Sequence, residues 1–356
     1  MKLLWTTLVC FLTVSCSTVE SKNNAVLLEG DASSKLLNND LIVSESFLGK
    51  EDVNAFITYM GDKHGYDQSL LINAFSHIKP RQQVIHKSNN QPEVITPYYE
   101  YKKRFVERSR VDSGKTFLKL NKQWLDKAER DFGVPAEIIV AIAGVETYYG
   151  RITGSRDVFT SLSTLAFDYP RRGDYFRSEL EAYLLLSREK GWPIETIKGS
   201  YSGALGMAQF MPSNYRKLAI DFDGDGEVDL WKSSADAIGS IANYLKANGW
   251  QANGPILDFV TVDKAQQQSQ EIKSWSNKQR KPFNYPSTWK ALGVDVSASF
   301  PKIKSGLIRL QSGPEEIDYW LAYNNFFALM SYNPSRRYTM AVIELSKLIH
   351  DTNGVK

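Results

Sequence analysis

Pro135-Ala-Glu-Ile-Ile-Val-Ala-Ile-Ala-Gly-Val-Glu-Thr-Tyr-Tyr-Gly150 decides the fold. Its apolar residues recur at helical spacing, which predicts a helix with Pro135 at the favoured first position and Gly150 as C-terminal cap. Ile139 and Ile142 stand two turns and one turn before Glu146, so the three share a face. A carboxylate on an apolar face is costly unless it has a partner or a task. It also falls in the last turn, where the helix dipole is negative, and desolvation and dipole both disfavour its charged form. A carboxylic acid kept protonated can hand its proton to a leaving oxygen. Pattern alone leaves open a glutamate buried against an arginine or a set of backbone donors.

Working outward, the same spacing predicts helices over Val53–Tyr59, Thr116–Phe132, Tyr175–Glu189, Asp236–Asn248 and Arg337–His350. Gly249 stands where a helix end wants a cap. Strand-like runs are few, Pro255–Val262 and Lys302–Leu310 being the best, and they flank a polar stretch, 264–281, that reads as an exposed excursion. The fold class is therefore mainly α (α+β): a helical domain with a small β element near residues 255 to 312.

A chain of 356 residues can bury a large core. Its 43 basic and 40 acidic side chains nearly balance, and no basic block argues for nucleic acid. Eighteen Tyr and eight Trp suit flat, hydroxyl-rich ligands such as sugars, although core packing absorbs most aromatics in any protein. At the N-terminus, Met1-Lys2 and the apolar run Leu3–Val14 read as an export signal, too short to span a bilayer. Ser15-Cys16 resembles a bacterial lipobox, which implies a signal peptide over 1–15 and a lipid on Cys16; a plain cleaved signal is the alternative. Cys10 would leave with the signal, so the folded part would carry no free thiol and no disulfide. Residues 16–44 read as a flexible polar tether and 45–354 as the folded domain.

A second segment, Gly199-Ser-Tyr-Ser-Gly-Ala-Leu-Gly-Met-Ala-Gln-Phe-Met-Pro-Ser-Asn-Tyr215, places small residues before a helix start and so allows close backbone approach to a ligand. Gln209 offers a donor and an acceptor there. Alone it could be simple glycine packing. Taken with Glu146-Thr-Tyr-Tyr-Gly150, it resembles the lytic murein transglycosylases, in particular the membrane-bound lytic transglycosylase B family. Tyr101-Lys-Lys-Arg-Phe105, Phe167-Asp-Tyr-Pro-Arg-Arg172, Ala242-Asn-Tyr-Leu245 and Tyr332-Asn-Pro-Ser-Arg-Arg-Tyr338 extend the likeness in order along the chain.

That resemblance implies a lysozyme-like helical core that cleaves peptidoglycan strands. Glu146 would protonate the oxygen between N-acetylmuramic acid and N-acetylglucosamine, then act as base on the muramic 6-hydroxyl to leave a 1,6-anhydro end. A water-using glycosidase needs a second carboxylate at fixed separation; the family assigns none, and no cofactor for catalysis. The resemblance also places Ser200 and Gln209 around the reacting sugar and Tyr101, Tyr244, Tyr332 and Tyr338 along the cleft. Arg171 and Arg172 would meet the acidic peptide stem. For each tyrosine alone, core packing is the simpler reading. A lysozyme-type hydrolase and a non-catalytic wall-binding lipoprotein are the competing functions. Ser17 after the lipobox cysteine favours the periplasmic face of the outer membrane of a Gram-negative cell, near other wall enzymes.

Asp221-Phe-Asp223-Gly-Asp225-Gly-Glu227-Val-Asp229 has the spacing of a calcium-binding EF-hand loop, with Glu227 giving its carbonyl. The closing position holds Lys232, which cannot bind a cation, so Asp236 is the candidate to complete a structural calcium site over 221–236. Asp236 also fits a helix-capping role after Ser233.

Overall fold

The computed structural model describes residues 46–91, 95–297 and 300–351. The expected signal peptide, Cys16 and the tether lie outside the described residues, as does the expected domain end at 352–354.

The quoted segment forms the helix Ala136–Thr147, and nearly every side chain on it is buried, from Ile138 through Val145. Burial all round, rather than one apolar face, defines it as the central helix. The helices Arg108–Leu120, Lys122–Phe132, Ser234–Ala247 and Arg336–His350 surround it. A second group, Glu51–His64, Val158–Asp168, Gly173–Lys190 and Pro212–Leu218, packs onto the same continuous core.

The single helix expected over 116–132 is two. They meet at Asn121, whose side chain donates to the Phe117 carbonyl at 2.9 Å and competes with the helix ladder. Pro135 is the N-cap rather than the first helical residue.

Four antiparallel strands form the β element, in the order Val294–Asp295, Leu257–Val262, Ile317–Ala322, Gly306–Gln311. The expected run 302–310 begins late, and Ile317–Ala322 was not expected at all. The physical reason is double-sided burial. Ile308, Leu310, Trp320 and Ala322 face the main core, while Leu307, Tyr319 and Leu321 face a second, smaller one. A strand covered on both faces loses its polar alternation. The stretch 264–281 is likewise no bare excursion. Most of it is exposed as expected, but it carries two short helices, Lys264–Gln267 and Gln270–Trp275, and the second covers the small core, with Ile272 fully buried and Trp275 stacked on Phe283 at 5.5 Å.

Candidate active site

The central helix ends abruptly, and the reversal falls on tyrosines ahead of Gly150. Tyr148 and Tyr149 both have positive φ, 53° and 61°. A bulky residue in this region costs about 1–3 kcal/mol, so surrounding contacts must hold it. Here Tyr148 and Tyr149 donate backbone N–H to the Gly144 and Ala143 carbonyls, and Tyr149 Oη donates to the Arg110 carbonyl at 2.8 Å. Gly144 makes room for that ring: an added Cβ would lie 2.7 Å from Tyr149 Oη. The Arg110 guanidinium in turn donates to the Gly144 carbonyl and lies 4.5 Å from the centre of the Tyr148 ring. A cation thus meets the negative end of the helix.

This turn leaves Glu146 half-buried. Tyr338, one turn into the Arg336–His350 helix, donates its hydroxyl to Glu146 Oε1 at 2.6 Å. Burial first, and then the neighbouring Glu146 charge, hold the Tyr338 and Tyr332 phenols well above their ordinary value, so both stay neutral donors. Tyr244 is pushed up by the same two causes. Tyr332 donates to the Ala208 carbonyl at 2.6 Å and Tyr244 to the Ser331 carbonyl at 2.7 Å, their rings meeting edge-on at 4.7 Å. Tyr101 is buried against Phe105, and its phenol lies near enough to Tyr338 to add to the upward shift there.

The expected tyrosines therefore surround Glu146, but with a difference from the expected role. Three of their hydroxyls bond protein atoms, because a buried phenol without a partner is costly. They form a floor and orient the acid; each such hydroxyl has given its one proton to the protein and keeps only its lone pairs as acceptors.

The glycine-rich segment is joined to the helix by Thr147. Its Oγ1 donates to the Met207 carbonyl at 3.0 Å and accepts from Gly150 N at 3.0 Å. Leu205 and Phe210 pair across a tight reversal, with Gly206 at φ 65° and Gln209 at φ 50°. Gln209 Nε2 donates to the Gly206 and Thr153 carbonyls at 2.9 and 3.1 Å, which pins its side chain. Ser200 Oγ accepts from Ala204 N at 3.0 Å and is half-buried. Gly154 and Gly199 let two backbones touch; a Cβ on Gly154 would overlap the Gly199 carbonyl.

Arg171 and Arg172 are exposed, and the Arg172 guanidinium lies over the Tyr175 ring at 4.3 Å. Tyr175 was not among the expected residues. Although the residue is 38% exposed, burial of its phenol end and then Glu179 push that phenol up to about 12. An isolated tyrosine in an amphipathic helix carries no sequence signal of that kind.

In the acidic loop, Asp221, Asp223 and Asp236 each offer a carboxylate oxygen within 4.8 Å of the others. Asp225 and Glu227 stand outside that group, and Asp225 accepts from Glu227 N at 2.8 Å instead. Asp236 is buried, accepting from Phe222 N and Asp229 N at 2.8 Å each. Burial, then Asp223 and Asp221, push its carboxyl up despite those bonds. Each oxygen keeps a lone pair. An all-oxygen donor set that crowds negative charge fits a hard cation such as calcium. The capping role is present too, since Ser233 Oγ accepts from Asp236 N. The loop reaches the glycine-rich segment through Met207 N, which donates to the Leu230 carbonyl at 2.6 Å.

A mainly helical, lysozyme-like fold presenting one half-buried carboxylate over a tyrosine floor defines the class of lytic transglycosylases. Residues 49–347 match the Transglycosylase SLT domain, and the chain belongs to that family. It is 32% identical over 328 residues to the membrane-bound lytic murein transglycosylase B of Escherichia coli, covering 87% of this chain and 86% of that one. Among solved structures it is similar to the soluble lytic transglycosylase SltB1 of Pseudomonas aeruginosa, at 36% identity and a TM-score of 0.77, over 85% of this chain and all of that one. The Escherichia coli lytic transglycosylase Slt35, solved in complex with calcium, is 34% identical with a TM-score of 0.75, over 86% of this chain and 95% of that one.

Proposed function

We propose that Glu146 is the single acid and base with which this lytic transglycosylase cuts peptidoglycan between N-acetylmuramic acid and N-acetylglucosamine. The observation that carries the reading is the 2.6 Å hydrogen bond from Tyr338 to Glu146 Oε1. With Oε1 committed as acceptor, the transferable proton resides on Oε2. That proton goes to the glycosidic oxygen as the bond to C1 breaks. The carboxylate so formed takes a proton from the muramic 6-hydroxyl, whose oxygen bonds to C1 and closes the 1,6-anhydro ring. Glu146 ends protonated again, and no water is consumed.

Gln209 and Ser200 border the reacting sugar, Tyr101, Tyr244, Tyr332 and Tyr338 floor the groove, and Arg171 and Arg172 meet the stem peptide. Asp221, Asp223 and Asp236 hold a structural calcium together with the Glu227 carbonyl, with Asp225 lending charge; the calcium complex of Slt35 supports this. The N-terminal signal exports the chain, and a lipid on Cys16 with a tether up to residue 44 keeps the domain at the periplasmic face of the outer membrane. The membrane-bound relative supports that placement.

Digestion of purified sacculi followed by mass spectrometry tests the chemistry. Wild type should release muropeptides with anhydro ends, and Glu146→Gln should release none. Reducing muramic ends would replace the mechanism with hydrolysis. Release by Glu146→Gln would remove the assignment of the acid.

A further inference from the structure

A pocket of about 420 Å³ is lined by Tyr98, Arg309, Gln311, Ser335, Arg336 and Arg337 among others, and among the described residues no carboxylate lines it. Its three guanidiniums come from a strand, Gly306–Gln311, and from the first turn of the final helix, Arg336–His350, so only the tertiary fold assembles them. Crowded like charges are unfavourable without a counter-charge. Arg336 is half-buried, donates to the Asn277 and Gln279 carbonyls, and has a buried Nε with no partner. Burial, and then the exposed Arg280 nearby, press its pKa down. Arg309 donates through Nε to Tyr319 Oη at 3.2 Å. Among the described residues, no carboxylate pairs with Arg309 or Arg336.

The nearby acids sit at the Tyr98 end: Tyr98 donates to Glu344 Oε1 at 2.5 Å and feels the charge of Asp318. The positive end of a 15-residue helix opens at the pocket, adding to the field. Planar, forked guanidiniums suit a carboxylate. The same turn carries Tyr338, directly after Arg337, and Tyr338 holds Glu146. A ligand in this pocket is therefore within one helical turn of the tyrosine that orients the acid.

We propose that this arginine pocket binds a carboxylate of the acidic peptide stem carried by the glycan strand, as a peptide subsite separate from Arg171 and Arg172. The proposal rests on the peptidoglycan reading above and adds a determinant of which strands are cut.

The test compares the intact enzyme on glycan strands with stems in place and on strands from the same sacculi stripped of stems by an amidase. Arg309→Gln should raise KM about tenfold on stem-bearing strands and leave kcat on them unchanged. Its kinetics on stripped strands should equal wild type, and Arg309→Lys should recover part of the loss. Arg337→Gln, on the other side of the pocket, should repeat the pattern, which covers the case in which Arg309→Gln does not fold. Equal losses on both substrates, or no change on either in both glutamine variants, would overturn the subsite. Wild type that cuts neither substrate would instead remove the peptidoglycan reading beneath it.

Discussion

Glu146 takes its hydrogen bond from a residue 192 positions further along the chain. A bond to a group that carries charge during the reaction contributes about 1.5–3 kcal/mol. Tyr338→Phe keeps the ring and its packing but frees Oε1 to turn. Steady-state kinetics should show kcat lowered about tenfold or more, with little change in melting temperature. A loss of stability matching the loss of rate would mean that the tyrosine only packs. Glu146 itself was legible, because a carboxylate closing an apolar helix contradicts the local pattern. Tyr175 was not legible, since no local pattern marks the tyrosine over which the Arg172 guanidinium settles.

At the scale of elements, one hydroxyl joins the central helix to the glycine-rich segment. Thr147 is buried and bridges the Met207 carbonyl to Gly150 N. Thr147→Val preserves the shape and leaves both of those groups without their partner, at a cost of about 1–3 kcal/mol. Calorimetry should record a melting temperature lower by several degrees, together with reduced activity as Gln209 loses its register. Unchanged melting would refute the bridge. The helices expected from sequence were legible because a buried side leaves a period, and the acidic loop because cation ligands need fixed spacing; Val158–Asp168 and Asn324–Tyr332, buried on nearly every side, were not. The strand Ile317–Ala322 and the helix Gln270–Trp275 were not legible either, because both pack on a second core that no local pattern announces.

The whole molecule depends on contacts that link its outer parts. If calcium fills the acidic loop, stripping it with a chelator should lower the melting temperature, and re-addition at about one hundred times Kd should restore about 2.7 kcal/mol. Asp236→Asn should abolish that response; an Asp236→Asn protein that still gains stability from calcium would exclude Asp236 as a ligand. Glu181, on the Gly173–Lys190 helix, joins the Glu51–His64 helix by accepting from Tyr59, Lys63 and His64. Burial opposes its ionisation, but the bonds from His64, Lys63 and Tyr59 outweigh burial and hold its carboxyl below the ordinary value. A depressed carboxyl pKa contributes stability that is present above the unfolded value and is lost as pH falls through the folded one. Melting temperatures taken from about pH 7 down to about pH 3 should therefore fall more steeply for wild type than for Glu181→Gln. Parallel curves would show that the cluster contributes nothing to linkage.

The sequence by itself determined several of the helices, the lone glutamate at the end of one of them, and the spacing of an oxygen-ligand loop. Each is a local arrangement, set by periodicity, capping and ligand geometry within a few turns of chain. Only the tertiary structure decided that tyrosine hydroxyls bond the protein and that Asp225 stands outside the group of Asp221, Asp223 and Asp236. It likewise brought three arginines from two elements around one pocket. Those outcomes follow from burial, which obliges each polar group to find a partner wherever the folded chain brings one near.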